Sequence, residues 1–152
     1  MLKSIEGNFD NPEVDELLTK HFVELKAASP EGSAHVLDIA GLKDESIKFW
    51  SLWQNNMLMG CGALKFLDKE HGEFKSIRIH DNFRRMGNGN NVINYLINEA
   101  KKLDIKKLSI ETGAGEFFKP ARKLFKQCGF ETCDPFAHYK EDVNSVYLTK
   151  SI

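Results

Sequence analysis

Apolar positions in this chain switch between a helical rhythm and runs that read as strands. Leu2 to Glu6 predicts a short first strand. From Pro12 to Ala28, Val14, Leu17, Leu18, Phe22 and Leu25 recur at helical spacing and define one apolar face. Pro12 suits the first turn of that helix, and Ala28-Ser29-Pro30-Glu31-Gly32-Ser33 ends it in a loop. A short helix follows over Val36 to Leu42. Ile47 to Gln54 carries Phe49, Trp50, Leu52 and Trp53, so the strand it predicts is apolar on both faces and covered on both sides. Asn55-Asn56 reads as a tight turn, because asparagine tolerates positive φ. Met57 to Leu67 returns as a second strand of the meander, Lys69 to Gly72 turns the chain again, and Glu73 to Ile79 is the third. A strong helix begins near Asn90, with Val92, Ile93, Leu96, Ile97, Ala100 and Leu103 as its stripe. Lys107 to Glu111 is a strand, and Pro120 to Gln127 a helix with Gly129 near its C-terminal cap. Phe130 to Phe136 and Val146 to Thr149 are the last two strands. The order predicts an α/β (α+β) protein: one domain over residues 1–152, with a mixed, mostly antiparallel sheet of six to seven strands flanked by helices.

Composition narrows the function classes. The 152 residues are 41% hydrophobic and 28% charged, values of a globular protein with one sizeable core. A net charge of −1 gives no general case for nucleic-acid binding. No apolar run approaches the ~20 residues that span a bilayer, and Met1 to Glu6 lacks the apolar core of a signal peptide; the cytoplasm is the expected location. Cys61, Cys128 and Cys133 are odd in number and have no paired spacing, which fits a reduced compartment. His21, His35, His71, His80 and His138 form no metal-ligand pair and no Cys-x-x-Cys exists, so no metal site is expected. The meander and the C-terminal strands offer edges on which a homodimer could form.

The candidate chemistry starts at Arg84-Arg85-Met86-Gly87-Asn88-Gly89, between the strand ending near Ile79 and the helix starting near Asn90. A strand, a glycine-spaced turn and a helix N-terminus form a phosphate-binding arrangement. Glycine permits close approach and positive φ, and the free N–H groups and the positive end of the helix dipole face the anion. No Gly-Lys-Ser/Thr follows, so this is not the ATP-type loop. A dinucleotide fingerprint would need glycine where Val92 stands.

Arg84-x-x-Gly87-x-Gly89 resembles the pyrophosphate motif of the GNAT superfamily of N-acetyltransferases. Met59-Gly60-Cys61-Gly62-Ala63-Leu64 and Ala121-x-x-Leu124-Phe125-x-x-x-Gly129-Phe130 resemble two further motifs of that family, in the family's order. Pro135 to Tyr139, Asn144 to Tyr147 and Glu111-Thr112-Gly113 are similar to a subgroup of small bacterial acetyltransferases. The resemblance implies acetyl-CoA as donor substrate. The main chain of Ile77, Arg78 and Ile79 would pair with pantetheine on a strand edge splayed from its neighbour. The backbone of Arg85, Met86, Gly87, Asn88 and Gly89 would bind pyrophosphate, and Arg84 and Arg85 would add charge. Its expected activity is transfer of acetyl to a primary amine of a small molecule, amino acid or peptide. A non-catalytic CoA-binding or interaction module on the same fold stands as the alternative.

Acetylating an amine requires removal of a proton, because a lysine-like amine with a pKa near ~10.4 is mostly protonated at neutral pH. A carboxylate can take it, directly or through water, strand N–H groups can hold the oxyanion, and the thiolate then leaves. Glu73 is the candidate general base, at the spacing before Arg84 found in the histone-acetyltransferase branch of the superfamily. Glu111 is a second carboxylate, for which buried structural pairing is the competing role. The family's usual acid, a tyrosine, is replaced here by Phe125. Tyr139 is the candidate acid, with Cys128, water or no acid as alternatives. His35 is expected near the acceptor by resemblance, and His80 as a cap or a substrate contact. Phe117 and Phe118 could wall the pocket or pack, while core packing is expected of Trp50 and Trp53.

Overall fold

The computed structural model describes residues 1–84 and 86–152. Its elements in chain order are β1 (Lys3–Glu6), α1 (Pro12–Ala28), α2 (Ile39–Leu42), β2 (Ile47–Gln54), β3 (Met57–Phe66), β4 (His71–Ile79), α3 (Asn88–Lys102), β5 (Lys107–Gly113), α4 (Lys119–Gln127), β6 (Glu131–Thr132) and β7 (Ser145–Ser151). Short 3-10 turns over Asp81–Phe83 and Glu116–Phe118 precede α3 and α4. Among the described residues the seven strands lie in the order β1-β2-β3-β4-β5-β7-β6, and only β4 and β5 run parallel.

Local chemistry explains most of these boundaries. Asn11 caps α1 by accepting from the amides of Glu13 and Val14 at 2.9 and 3.2 Å, with Pro12 in the first turn. The β2–β3 hairpin turns on Asn55 and Asn56, at φ 52° and 62°. The stripe of α1 differs from expectation. Val14, Leu17, Leu18 and His21 are buried, while Phe22 and Leu25 are only half-buried. A histidine thus occupies the inward position two helical turns after Val14.

The sheet is sandwiched as the double-sided β2 demands. On one face Trp50, Leu52, Leu64, Phe74, Leu108 and Leu148 pack with Val92, Ile93, Leu96 and Ala100 of α3. On the other, Phe49, Leu58, Cys61 and Ala63 pack with Val14, Leu17 and Leu18 of α1 and Leu42 of α2. Among the described residues no helix is long and apolar enough to cross a membrane.

Two departures shape the site. The strand expected over Phe130 to Phe136 is reduced to Glu131–Thr132, with one further bond from the Cys133 amide to the Tyr147 carbonyl. Pro135 has no amide to donate, and the chain instead turns so that the Tyr139 amide bonds the Phe136 carbonyl, with Ala137 at φ 52°. The turn brings Tyr139 over β4. Secondly, β4 pairs with β5 only through His71, Gly72 and Glu73, opposite Lys107, Leu108 and Ser109. Beyond Glu73 the strands part, while β5 stays with β7 as far as Gly113 opposite Ser145. At the split β4 is bulged: Ser76 and Ile77 lie between the pairs Ala63–Lys75 and Cys61–Arg78, and Ser76 adopts φ 53°. The Cys61 thiol donates to the Ser76 carbonyl at 3.3 Å and ties the bulge to β3.

Candidate active site

The split between β4 and β5 opens a cleft of about 640 Å³, within the range of small-molecule sites. Its walls are β4 from Glu73 to Ile79, β5 from Ile110 to Thr112, α1 at His21 and Leu25, the loop at His35 to Leu37, and α4. Among the described residues four buried side-chain polar atoms have no hydrogen-bond partner: His21 Nδ1, Glu73 Oε1, Ser76 Oγ and Arg78 Nε. All four residues line this cleft. An unmet buried polar atom costs about 1–3 kcal/mol, so their convergence marks a surface shaped for a ligand.

One end of the cleft is built from main chain. Gly87 is the N-cap of α3 at φ 78°, and it gives the helix no side-chain cap. A left-handed residue here costs other L-amino acids about 1–2 kcal/mol, and with no side chain over them the first amides of α3 face outward. Gly89 answers a different need: a Cβ there would stand 2.7 Å from Leu124 Cδ2, so its absence lets α4 close against α3. The Asn88 amide side chain donates to the Phe83 carbonyl at 3.0 Å, and Arg84 Nε donates to the Ile79 carbonyl at 3.3 Å. Arg84, Gly87 and Gly89 line the cleft, while Met86 is largely exposed. Arg85 lies outside the described residues.

The other end is built from side chains. Glu73 is 1% exposed. Its Oε2 accepts from the Tyr139 hydroxyl at 2.5 Å and from Lys75 Nζ at 3.3 Å, and Lys75 also donates to the Tyr139 oxygen at 3.1 Å. A carboxylate buried this far needs a countercharge; Lys75, 10% exposed in its side chain, supplies it. Burial, then the Glu73 charge and its hydrogen bond, push the Tyr139 phenol far above its ordinary range. His35 meets the Tyr139 ring edge-on at 5.1 Å. Across the cleft Glu111 Oε2 accepts from the Ser145 hydroxyl at 2.8 Å, and burial raises the Glu111 carboxyl despite that bond.

Between the ends, Arg78 is buried with Nη1 2.7 Å from Glu24 and Nη2 3.1 Å from Asp81. Asp81 also pairs with Lys20 and with Arg84. His21 packs beside this network and is driven down to about 4 by burial first, then by the charges of Arg78 and Arg84. It is a neutral imidazole at neutral pH.

The expected residues thus separate. Ile77, Arg78, Ile79, Arg84, Gly87 and Gly89 gather along one cleft with Glu73, and Tyr139 reaches Glu73 from behind. Phe125 is buried, 5.4 Å from Phe130, and brings no hydroxyl to the cleft it lines. His80 caps the 3-10 turn by accepting from the Asn82 amide. Trp50 is core, and Trp53 donates to Ser51. Phe118 is buried and Phe117 half-exposed, yet both line the cleft. Lys75, Ser76 and His21 were not anticipated from sequence. Lys75 could have been found, since it lies two residues from Glu73 and strand alternation puts both on one face.

Comparison with known proteins agrees with this geometry. The acetyltransferase (GNAT) family model matches residues 11–130. The chain is 44% identical over 140 residues to the uncharacterized N-acetyltransferase YsnE of Bacillus subtilis, covering 92% of this chain and 93% of that one. It is 35% identical over 142 residues to the uncharacterized N-acetyltransferase YedL of Escherichia coli, covering 93% and 89%. The crystal structure of the N-acetyltransferase PseH of Campylobacter jejuni in complex with acetyl coenzyme A superposes with a TM-score of 0.69 at 20% identity, covering 99% of each chain. The chain belongs to the GNAT family of acetyltransferases.

Proposed function

We propose that the chain transfers an acetyl group from acetyl-CoA to a primary amine of a small molecule, amino acid or peptide, by direct attack of the amine on the thioester. One observation carries the proposal: Glu73 has Oε2 clamped by Tyr139 and Lys75, while Oε1 is buried, unpartnered and in the cleft. A carboxylate held in this way offers one oxygen for a proton.

The cleft suits the donor. The amides that open α3 at Gly87 are free for the pyrophosphate, with Met86, Asn88 and Gly89 completing the turn and Arg84 and Arg85 adding charge. The unpaired edge of β4 at Ile77, Arg78 and Ile79 can take the amides of the pantetheine arm. The donor supplies an acyl carbon activated as a thioester. Glu73 Oε1 removes one proton from the amine. The nitrogen lone pair then forms the C–N bond, and the C–S pair leaves on sulfur. A thiol pKa near ~8.5 makes that departure easy without a strong acid. Tyr139, held protonated and donating to Glu73, is assigned here as the positioning residue for the base in place of an acid. We further propose a cytoplasmic enzyme whose outer edges, on β1 and β6, are open to a second copy; a monomeric mass in light scattering would remove the dimer.

Free-thiol release from acetyl-CoA across a panel of amines tests the activity. Amine-dependent release is expected. CoA binding without release on any amine would favour a non-catalytic CoA-binding module, the alternative to which Phe125 lends weight.

A further inference from the structure

The cleft holds two carboxylates whose situations differ. Glu73 pairs with Ser109 across the parallel ladder, and Glu111 lies two residues beyond Ser109, so both project to the same sheet face. Glu73 has a cation of its own in Lys75. Glu111 has none: among the described residues it enters no ion pair, and its one side-chain bond is the hydroxyl of Ser145. The ionisable groups around it are Lys75, whose ammonium is turned to Glu73 and Tyr139, together with His35, Glu73, Tyr139 and Tyr147. A carboxylate drawn into a protein without a countercharge is unfavourable, and a cationic ligand removes that cost.

Two further features sit beside it. Glu73 Oε1, on a side chain 1% exposed, is unpartnered in the same cleft. A recess of about 60 Å³ opens on Glu111, walled by the apolar Leu25, Val36 and Phe118 and by the polar Ser29, Ser33 and Thr112. One water needs about 10–15 Å³ of such space, so the recess has room for a few non-hydrogen atoms.

The geometry points to Glu111 as the docking carboxylate for the acceptor, which enters as a short alkylammonium with its apolar substituent in the recess. This role presupposes the acetyl transfer proposed above. The bound ammonium gives one proton to Glu73 Oε1 and attacks as the neutral amine, while Glu111 keeps its charge throughout. The acceptors are therefore aliphatic primary amines, which are cationic at neutral pH, and not weakly basic aromatic amines.

Thiol release with n-butylamine and with aniline, on wild type and Glu111→Gln, tests this. Wild type is expected to use butylamine. Glu111→Gln should raise the amine KM roughly 100-fold, as loss of a charge-assisted contact does, with kcat within about threefold and acetyl-CoA affinity unchanged; Glu111→Asp should recover part. A Gln variant that binds acetyl-CoA normally and keeps the wild-type amine KM would overturn the assignment. If Glu111→Gln does not fold, Ser145→Ala loosens Glu111 without removing its charge and should raise the amine KM roughly threefold to tenfold, with an unchanged KM again overturning it. Wild type that acetylates aniline but not butylamine would leave the acetyl-transfer proposal standing and overturn this one. Release with neither of these two while other amines of the panel are acetylated would overturn this proposal alone, and CoA binding without release on any amine of the panel would overturn both.

Discussion

The two ends of β4 are made of different materials. Past Ile79 the chain presents main chain: a left-handed glycine, an uncapped helix start and a glycine that lets α4 approach. At Glu73 the site is side chains alone, brought together from β4 and from a turn 66 residues further on. The first end is local and needs only a few consecutive residues. The second exists only when the whole sheet is assembled. If the ends do separate work, donor binding and proton removal should be separable by mutation.

The largest effect is expected at the side-chain end. Glu73→Gln keeps shape and hydrogen bonding but removes the base, and should lower kcat by ~10²–10⁴-fold in thiol release at saturating substrates. Next is a stability effect between the two ends. His21 is depressed from 6.5 to about 4, so it is neutral in the fold and binds a proton more readily when unfolded. Its contribution is therefore complete above pH 6.5 and is lost as pH falls toward about 4, by about 3 kcal/mol in all. Denaturant unfolding at pH 7 and pH 4.5 measures this, and His21→Leu should flatten that part of the profile. Tyr139→Phe keeps the aromatic packing and removes one donor to Glu73, so kcat should fall roughly tenfold or somewhat more with acetyl-CoA affinity unchanged. The smallest effect belongs to the main-chain end. Gly87→Ala meets no neighbouring atom and is strained only by its φ, so at the lower end of that strain, about 1 kcal/mol, acetyl-CoA should bind about fivefold more weakly by calorimetry, with kcat at saturating donor retained. A Gly87 variant that lost kcat, or a Tyr139 variant that lost donor affinity, would break the division.

The same division explains what could be read from the chain. Glycine spacing, a proline at a helix start and paired asparagines act over a few residues, so α1, the β2–β3 hairpin and the turn before α3 were legible. The reduction of the strand after Phe130 was not, because Pro135 is compatible with an edge strand and only the fold shows that the left-handed turn at Ala137 ends the pairing early. That turn places Tyr139, so the partner of Glu73 was legible as a residue and not as a contact. His21 was hidden for another reason: a histidine in an apolar stripe reads as polar, and only the packing of α1 over Arg78 shows that it is buried and neutral.

A crystal structure with acetyl-CoA bound tests the central claim most directly. Pyrophosphate is expected on the first amides of α3 at Gly87, the pantetheine arm along Ile77 to Ile79, and Glu73 Oε1 facing the thioester across a space for one amine, at about 3 Å from that nitrogen's position or one water away. A thioester lying outside the split between β4 and β5, with Glu73 still closed off from it, would contradict it.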